Sequence, residues 1–453
     1  MHGIPERKGE GRRSKARDEG LARNLGPLML WGLGVGYVIS GMYFGWNLGL
    51  AEGGTLGLAI ATFFIALMYV CFTFSYTELT CAIPRAGGAF DYATRALGPR
   101  WGFVGGLAQI IEFVFAPPAI ASAIGAYLNI FFPTVPVWGF AVGSYVIFTG
   151  LNCYGVRIAA IFEFCITVFA VAELLIFAGL TLPHFSWERF SHNPLPHGMM
   201  GAFASIPFAI WFFLAIEGIA NVAEETIDPK KNMVRGFGSA MLTLVVLCII
   251  TFISAVGVGG WEKVVYEPGT MNASDSPLPL ALAQILGTDS PFYHLLIVIG
   301  IFGLVASFHG IILASGRASF EFGRVGFAPR ILGRIHPVTR TPVWALVFNM
   351  LIGFLALSTG KTGEIIIIAC FGALSLYIIS MISLFQLRRK EPNLERPYLA
   401  PFYPVVPAIA LVIATVAFGS MVIYHTLLAG VYGLIIVTGA MYYQLFCQTS
   451  QNS

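Results

Sequence analysis

Four carboxylates stand inside stretches that are otherwise apolar: Glu112, Glu163, Glu173 and Glu217. No lysine or arginine lies within those spans to pair with them. A charged side chain at the centre of an apolar span costs about 2.5 kcal/mol or more on insertion scales. Such a group must be protonated, hydrogen-bonded or matched by a mobile cation. A proton, a metal ion and an ammonium group are therefore the three chemistries open to it. Glu217 stands out because Gly218 follows it and Pro207 precedes it, a combination that predicts a helix opening to hold a ligand. Trp211 lies six residues earlier and can lay its ring face on an ammonium, a contact of about 2 kcal/mol when desolvated. Glu112 lies roughly 16 Å along a helix from Trp101, near mid-membrane depth. Glu163 is expected to reach the inner interface and to be structural, whereas Glu173 lies toward the outer half as a candidate proton-coupling group or a packing hydrogen bond. Glu52 and Glu78 are expected to be solvated at membrane edges, and His309 to be a satisfied core histidine.

The elements that must position these groups follow from composition. Of 453 residues, 57% are hydrophobic and 11% charged, whereas a soluble domain carries about a quarter charged residues. The chain therefore reads as a polytopic membrane protein without an attached soluble domain. The net charge of +3 does not point to nucleic acid, because the basic residues sit in short loops. The seven cysteines show no metal spacing. No nucleophile–base pair appears either, so neither an enzyme nor a cofactor is expected. Residues 1–24 read as a disordered cytoplasmic tail rather than a signal peptide, residues 25–447 as the membrane domain, and 448–453 as a second short cytoplasmic tail.

Twelve segments are long enough to cross the hydrocarbon as helices: roughly 27–51, 54–82, 100–131, 135–153, 156–182, 202–223, 235–259, 292–318, 341–359, 363–387, 403–422 and 425–446. With the N-terminus inside, 23 lysines and arginines fall on inner segments and 3 on outer loops. The positive-inside rule then places both termini in the cytoplasm. Basic and apolar residues alternate over 317–341, which predicts a short surface helix there.

Two of the spans read as interrupted. Gly32, Gly34, Gly36, Gly41, Gly45 and Gly49 punctuate the first, with Ser40 at its centre; the sixth breaks at Ile216-Glu217-Gly218. Breaks in corresponding members of two halves point to an inverted repeat with a site between them. Half-helix ends leave unpaired N–H and C=O groups at membrane depth, which a buried polar ligand or water satisfies. The candidate binding residues are Glu217, Glu112, Trp211, Ser40, Gly41, Tyr43, Phe115, Phe213 and Gly218, with a small cationic amine as the ligand that unpaired acids and aromatic rings suit best.

Several motifs carry a family resemblance. They are Glu78-Leu79 with Ile83-Pro84-Arg85-Ala86-Gly87-Gly88-Ala89-Phe90-Asp91-Tyr92, then Ala223-Glu224-Glu225-Thr226-Ile227-Asp228-Pro229-Lys230, then Ser315-Gly316-Arg317 with Gly326-Phe327-Ala328-Pro329, and Arg396-Pro397-Tyr398 with Ala400-Pro401-Phe402-Tyr403-Pro404. In that order they resemble the amino acid–polyamine–organocation transporters. The resemblance implies an all-α membrane fold of the leucine-transporter type, five helices plus five inverted, with helices 1 and 6 broken and two helices added. Within that group, residues 36–47 and 111–121 look like bacterial ethanolamine permeases, which implies ethanolamine as substrate and import across the inner membrane by alternating access. Ala170 stands where several proton-coupled relatives resemble one another in having a lysine, so whether transport is coupled to a proton, to sodium or to nothing stays open. The closest rival is a proton-coupled amino acid permease in which N–H groups around Ser40–Gly45 hold a substrate carboxylate. A channel or membrane sensor is a third reading, less favoured because broken helices suit an occluded site.

Overall fold

The computed structural model describes residues 23–85, 87–154 and 159–447. The tails expected over 1–24 and 448–453 lie outside the described residues except for Arg23 and Asn24, and so does Arg157.

Among the described residues the chain is all helix and turn, with two isolated bridges, Leu25 to Thr226 and Tyr266 to Ala273. Nine helices there are long and apolar enough to cross a membrane. Helices answer this composition because they satisfy every backbone group within the segment. The first span is α1 (Pro27–Val38) and a single turn, α2 (Ser40–Tyr43). Next come α3 (Leu48–Ala82), α4 (Ala89–Leu97), α5 (Pro99–Phe131), α6 (Val137–Tyr154) and α7 (Ala159–Thr181). Short α8 (Trp187–Phe190) leads to α9 (Gly198–Ala204) and α10 (Ile206–Trp211), followed by a 3₁₀ segment, Ile216–Glu225. After α11 (Pro229–Gly259), two short helices, α12 (Glu262–Val265) and α13 (Pro277–Leu286), form a connection to α14 (Pro291–Arg324). The chain closes with α15 (Val343–Leu357), α16 (Thr362–Lys390), α17 (Val405–Tyr424) and α18 (Thr426–Tyr442).

Burial grades the spans by position. The most apolar window of Ile206–Glu225 is 100% buried, whereas that of Thr426–Cys447 is 11% buried. The interrupted sixth span thus runs through the core and α18 lines the edge. Helix α5 packs along both α14 and α16, which brings Glu112 into the same interior.

Three local expectations change. The sixth span opens earlier than Glu217-Gly218: α10 ends at Trp211, a turn covers 212–215, and Ala215 adopts left-handed backbone at φ 78°. No helix forms beyond Arg324 toward residue 341, because Gly326 (φ 83°), Pro329, Gly333 and Pro337 interrupt it. Glu78 is fully buried, not solvated: it accepts from Arg388 at 2.9 and 2.6 Å and from the Ala400 N–H at 2.7 Å.

Candidate functional site

The break in the first span has an identifiable cause. In an uninterrupted helix the Ser40 N–H would donate to the Gly36 carbonyl. Instead Ser307 of α14 inserts its hydroxyl, accepting from the Ser40 N–H at 2.9 Å and donating to the Gly36 carbonyl at 2.6 Å. A side chain inserted into the ladder is a known cause of helix breaks. Beyond α2 the backbone turns at Gly45 (φ 87°), whose N–H donates to Asn47 Oδ1 at 3.0 Å.

The two interrupted spans meet at these openings. A Cβ on Gly41 would lie 2.3 Å from the Trp211 carbonyl oxygen, and one on Gly45 would lie 2.5 Å from the Trp211 indole. Only glycine allows that approach. Trp211 packs edge-on to Phe44 at 5.4 Å, and its buried indole N–H finds no acceptor among the described residues. The 3₁₀ segment then brings Gly218 against the Tyr37 ring and Phe113.

Glu112 and Glu217, predicted separately, come together. Both are fully buried and their carboxyls are within hydrogen-bonding reach of each other. The Tyr377 hydroxyl donates to Glu217 Oε2 at 3.0 Å and meets the Tyr69 hydroxyl at 3.1 Å. Among the described residues neither Glu112 oxygen nor Glu217 Oε1 has a fully formed hydrogen bond, although the Ala215 N–H approaches Glu112 and the Glu217 N–H approaches its own carboxyl. Two carboxylates at this range repel unless a positive charge lies between them. The pair can therefore hold a proton, or exchange it for an ammonium.

The other candidates are dispersed around this pair. Phe213 lies 5.3 Å from the Tyr69 ring. Phe115 is half-buried against the core, on the far side of α5 from fully buried Phe113. Tyr43 and Glu173 form a separate contact: the Tyr43 hydroxyl donates to Glu173 Oε2 at 2.7 Å and lies 3.0 Å from the Ala170 carbonyl. Glu163 is buried, with His309 Nδ1 3.4 Å from its Oε2. Ser307, Tyr377, Tyr69 and Asn47 were missed. For Tyr377 a signal existed, since a phenol inside an apolar span needs a partner.

Comparison with known proteins places this geometry. A family model described as amino acid permease matches residues 25–446. An uncharacterized transporter of Rhizobium meliloti (strain 1021) is 28% identical over 412 residues, covering 88% of this chain and 86% of that protein. The methylthioribose transporter of Bacillus subtilis (strain 168) is 26% identical over 88% of each chain. The low-affinity putrescine importer PlaP of Escherichia coli (strain K12) is 24% identical over 80% of this chain and 81% of that one.

Proposed function

The chain belongs to the amino acid permease family, and from that premise we propose that this multi-pass membrane transporter imports a small amine, ethanolamine foremost, by alternating access. The observation that carries this reading is the Glu112–Glu217 pair, buried beside two interrupted spans and unmatched by lysine or arginine among the described residues. An ammonium supplies the missing positive charge. The unpartnered Trp211 N–H offers a donor for a hydroxyl oxygen, which suits an amino alcohol. The putrescine importer among the relatives transports an amine.

The same reading arranges the chain as twelve spans in a five-plus-five inverted repeat, with α1–α2 and the α10–3₁₀ span as its broken members. Residues 25–447 form that single unit. It sits in the inner membrane with both termini cytoplasmic, and a proton or sodium ion drives it. The amino acid permease alternative needs free N–H groups around Ser40–Gly45 for a carboxylate. The N–H groups of Ser40, Met42, Phe44 and Gly45 instead donate within the protein, which favours the amine.

Uptake of labelled ethanolamine into vesicles tests the reading. Unlabelled short amines should compete and alanine should not; the reverse order would establish the amino acid permease. Glu217→Gln should abolish ethanolamine binding by the purified protein while thermal unfolding stays cooperative. Unchanged binding would assign the carboxyl a structural role.

A further inference from the structure

A second buried acid cluster lies apart from the Glu112–Glu217 pair. Glu163 of α7 is 2% exposed and His309 of α14 is 5% exposed, with His309 Nδ1 3.4 Å from Glu163 Oε2. Glu163 Oε1 finds no donor among the described residues, and it is aimed at the first span. A Cβ on Gly36 would lie 2.5 Å from that oxygen and 2.7 Å from Thr167 Oγ1; one on Gly310 would lie 3.1 Å from it. The Thr167 hydroxyl donates to the Gly32 carbonyl at 3.2 Å. The carboxyl is thus pressed against the very turn of α1 that Ser307 splits.

Among the described residues, the ionisable groups around it do not neutralise it. From α1 comes Tyr37, whose ring abuts Gly310. Further along α14, Arg317 is taken by Glu225 at 2.9 Å, at the end of the 3₁₀ segment. On α11, Lys230, Lys231 and Arg235 are exposed, and the two lysines pair with Glu395 and Asp228. From α6, Asn152 donates to the His309 carbonyl, and the Phe148 ring of α6 and the Phe162 ring of α7 flank the imidazole. A carboxylate beside a neutral imidazole leaves one negative charge buried in an apolar interior, which is costly without a counter-charge.

We propose that Glu163 and His309 form a proton-binding site of the carrier, taking one proton from water and coupling its occupancy to the position of α1. This rests on the chain being a carrier, not on which substrate it moves. The step moves a proton from hydronium to the carboxyl–imidazole pair and changes no other bond. Loaded, the pair is neutral and tolerates the close contact with Gly36. Unloaded, the carboxylate demands water, which reaches it only when α1 parts from α7. Proton occupancy therefore biases α1 toward its packed position, as a ligand that binds one state better shifts the balance between two. A proton suits the site better than sodium, because a hard cation prefers an all-oxygen shell and one of the two partners here is an imidazole nitrogen.

Infrared difference spectra of the lipid-reconstituted protein, stepped from acid to alkaline pH, test this without any substrate. A protonated-carboxyl band is expected that disappears in Glu163→Gln and shifts in His309→Gln, with thermal unfolding confirming that both variants are folded. No band lost in Glu163→Gln would overturn the proposal. A spectral change or rise in Tm produced by sodium and not by choline would overturn it in favour of a metal ion. In vesicles, Glu163→Gln should lose accumulation driven by a pH gradient and keep substrate exchange at equal pH; full gradient-driven accumulation would overturn the proposal. If alanine replaces ethanolamine as the transported solute, the amine reading fails while the infrared result still decides this site.

Discussion

At the scale of single residues, each buried acid is governed by its nearest donor. Among the described residues the Tyr377 hydroxyl donates to Glu217, while Glu112 faces the Glu217 carboxyl and the Ala215 N–H. Removing a partner from a buried polar group costs about 1–3 kcal/mol. Tyr377→Phe should therefore lower the Tm, and adding Glu217→Gln to it should cost less than the two single losses combined, since both remove one interaction. Additive losses would show that the hydroxyl and the carboxyl act independently. The acids themselves were legible in the sequence because a carboxylate in an apolar span has no ordinary explanation. Their partners were not: Tyr377 lies 160 positions from Glu217 and Ser307 lies 267 from Ser40, and no local pattern encodes such pairings. Glu78 misled for the same reason, because its arginines come from α16 and the connection after it.

At the scale of elements, the two broken spans are held together by backbone packing that leaves no room for a side chain. Gly41 meets the Trp211 carbonyl so closely that a methyl group must displace it. Overpacking of this kind costs about 1–3 kcal/mol, so Gly41→Ala should lower the Tm and depress transport, as thermal unfolding and vesicle uptake would report. The sequence marked both interruptions through glycine and Glu217. It misplaced the start of the second by four residues because the turn opens at Phe212 and runs to Ala215, whose left-handed backbone costs about 1–2 kcal/mol in a non-glycine residue, a strain no sequence pattern announces. The connection between α11 and α14 closes over the same region: Asn47, just past Gly45, donates to the carbonyls of Val264 and Ser274 at 3.2 and 2.8 Å. Next to Ser274, Asp275 accepts from the Thr362 hydroxyl at 2.7 Å, and burial pushes its carboxyl up to about 6. Between its ordinary range near 4 and about 6, the folded protein holds a proton there that the unfolded chain has released. Stability therefore falls as pH rises through that window. Asp275→Asn should flatten this part of the Tm-against-pH curve, while an unchanged slope would move the titration elsewhere.

At the scale of the whole molecule, charge is distributed unevenly along the chain. The basic residues collect at one end: Arg388 and Arg396 clasp Glu78, Arg95 pairs with Glu391, and Arg317 with Glu225. The connection carrying Asp275 lies in a segment with a single lysine, Lys263. By the positive-inside rule we propose that the basic end faces the cytoplasm. Two exposed side chains separate the faces. Met271, 79% exposed, lies on the connection between α11 and α14; Val338, 82% exposed, lies between α14 and α15. Substitutions at such positions change stability by about 0.5 kcal/mol or less, so cysteines there report topology without disturbing the fold. In a background with the seven natural cysteines replaced, a membrane-impermeant maleimide should label Met271→Cys in intact cells. The same reagent should reach Val338→Cys only after permeabilisation. The opposite pattern would invert the molecule, placing the Glu163–His309 cluster nearer the outer face.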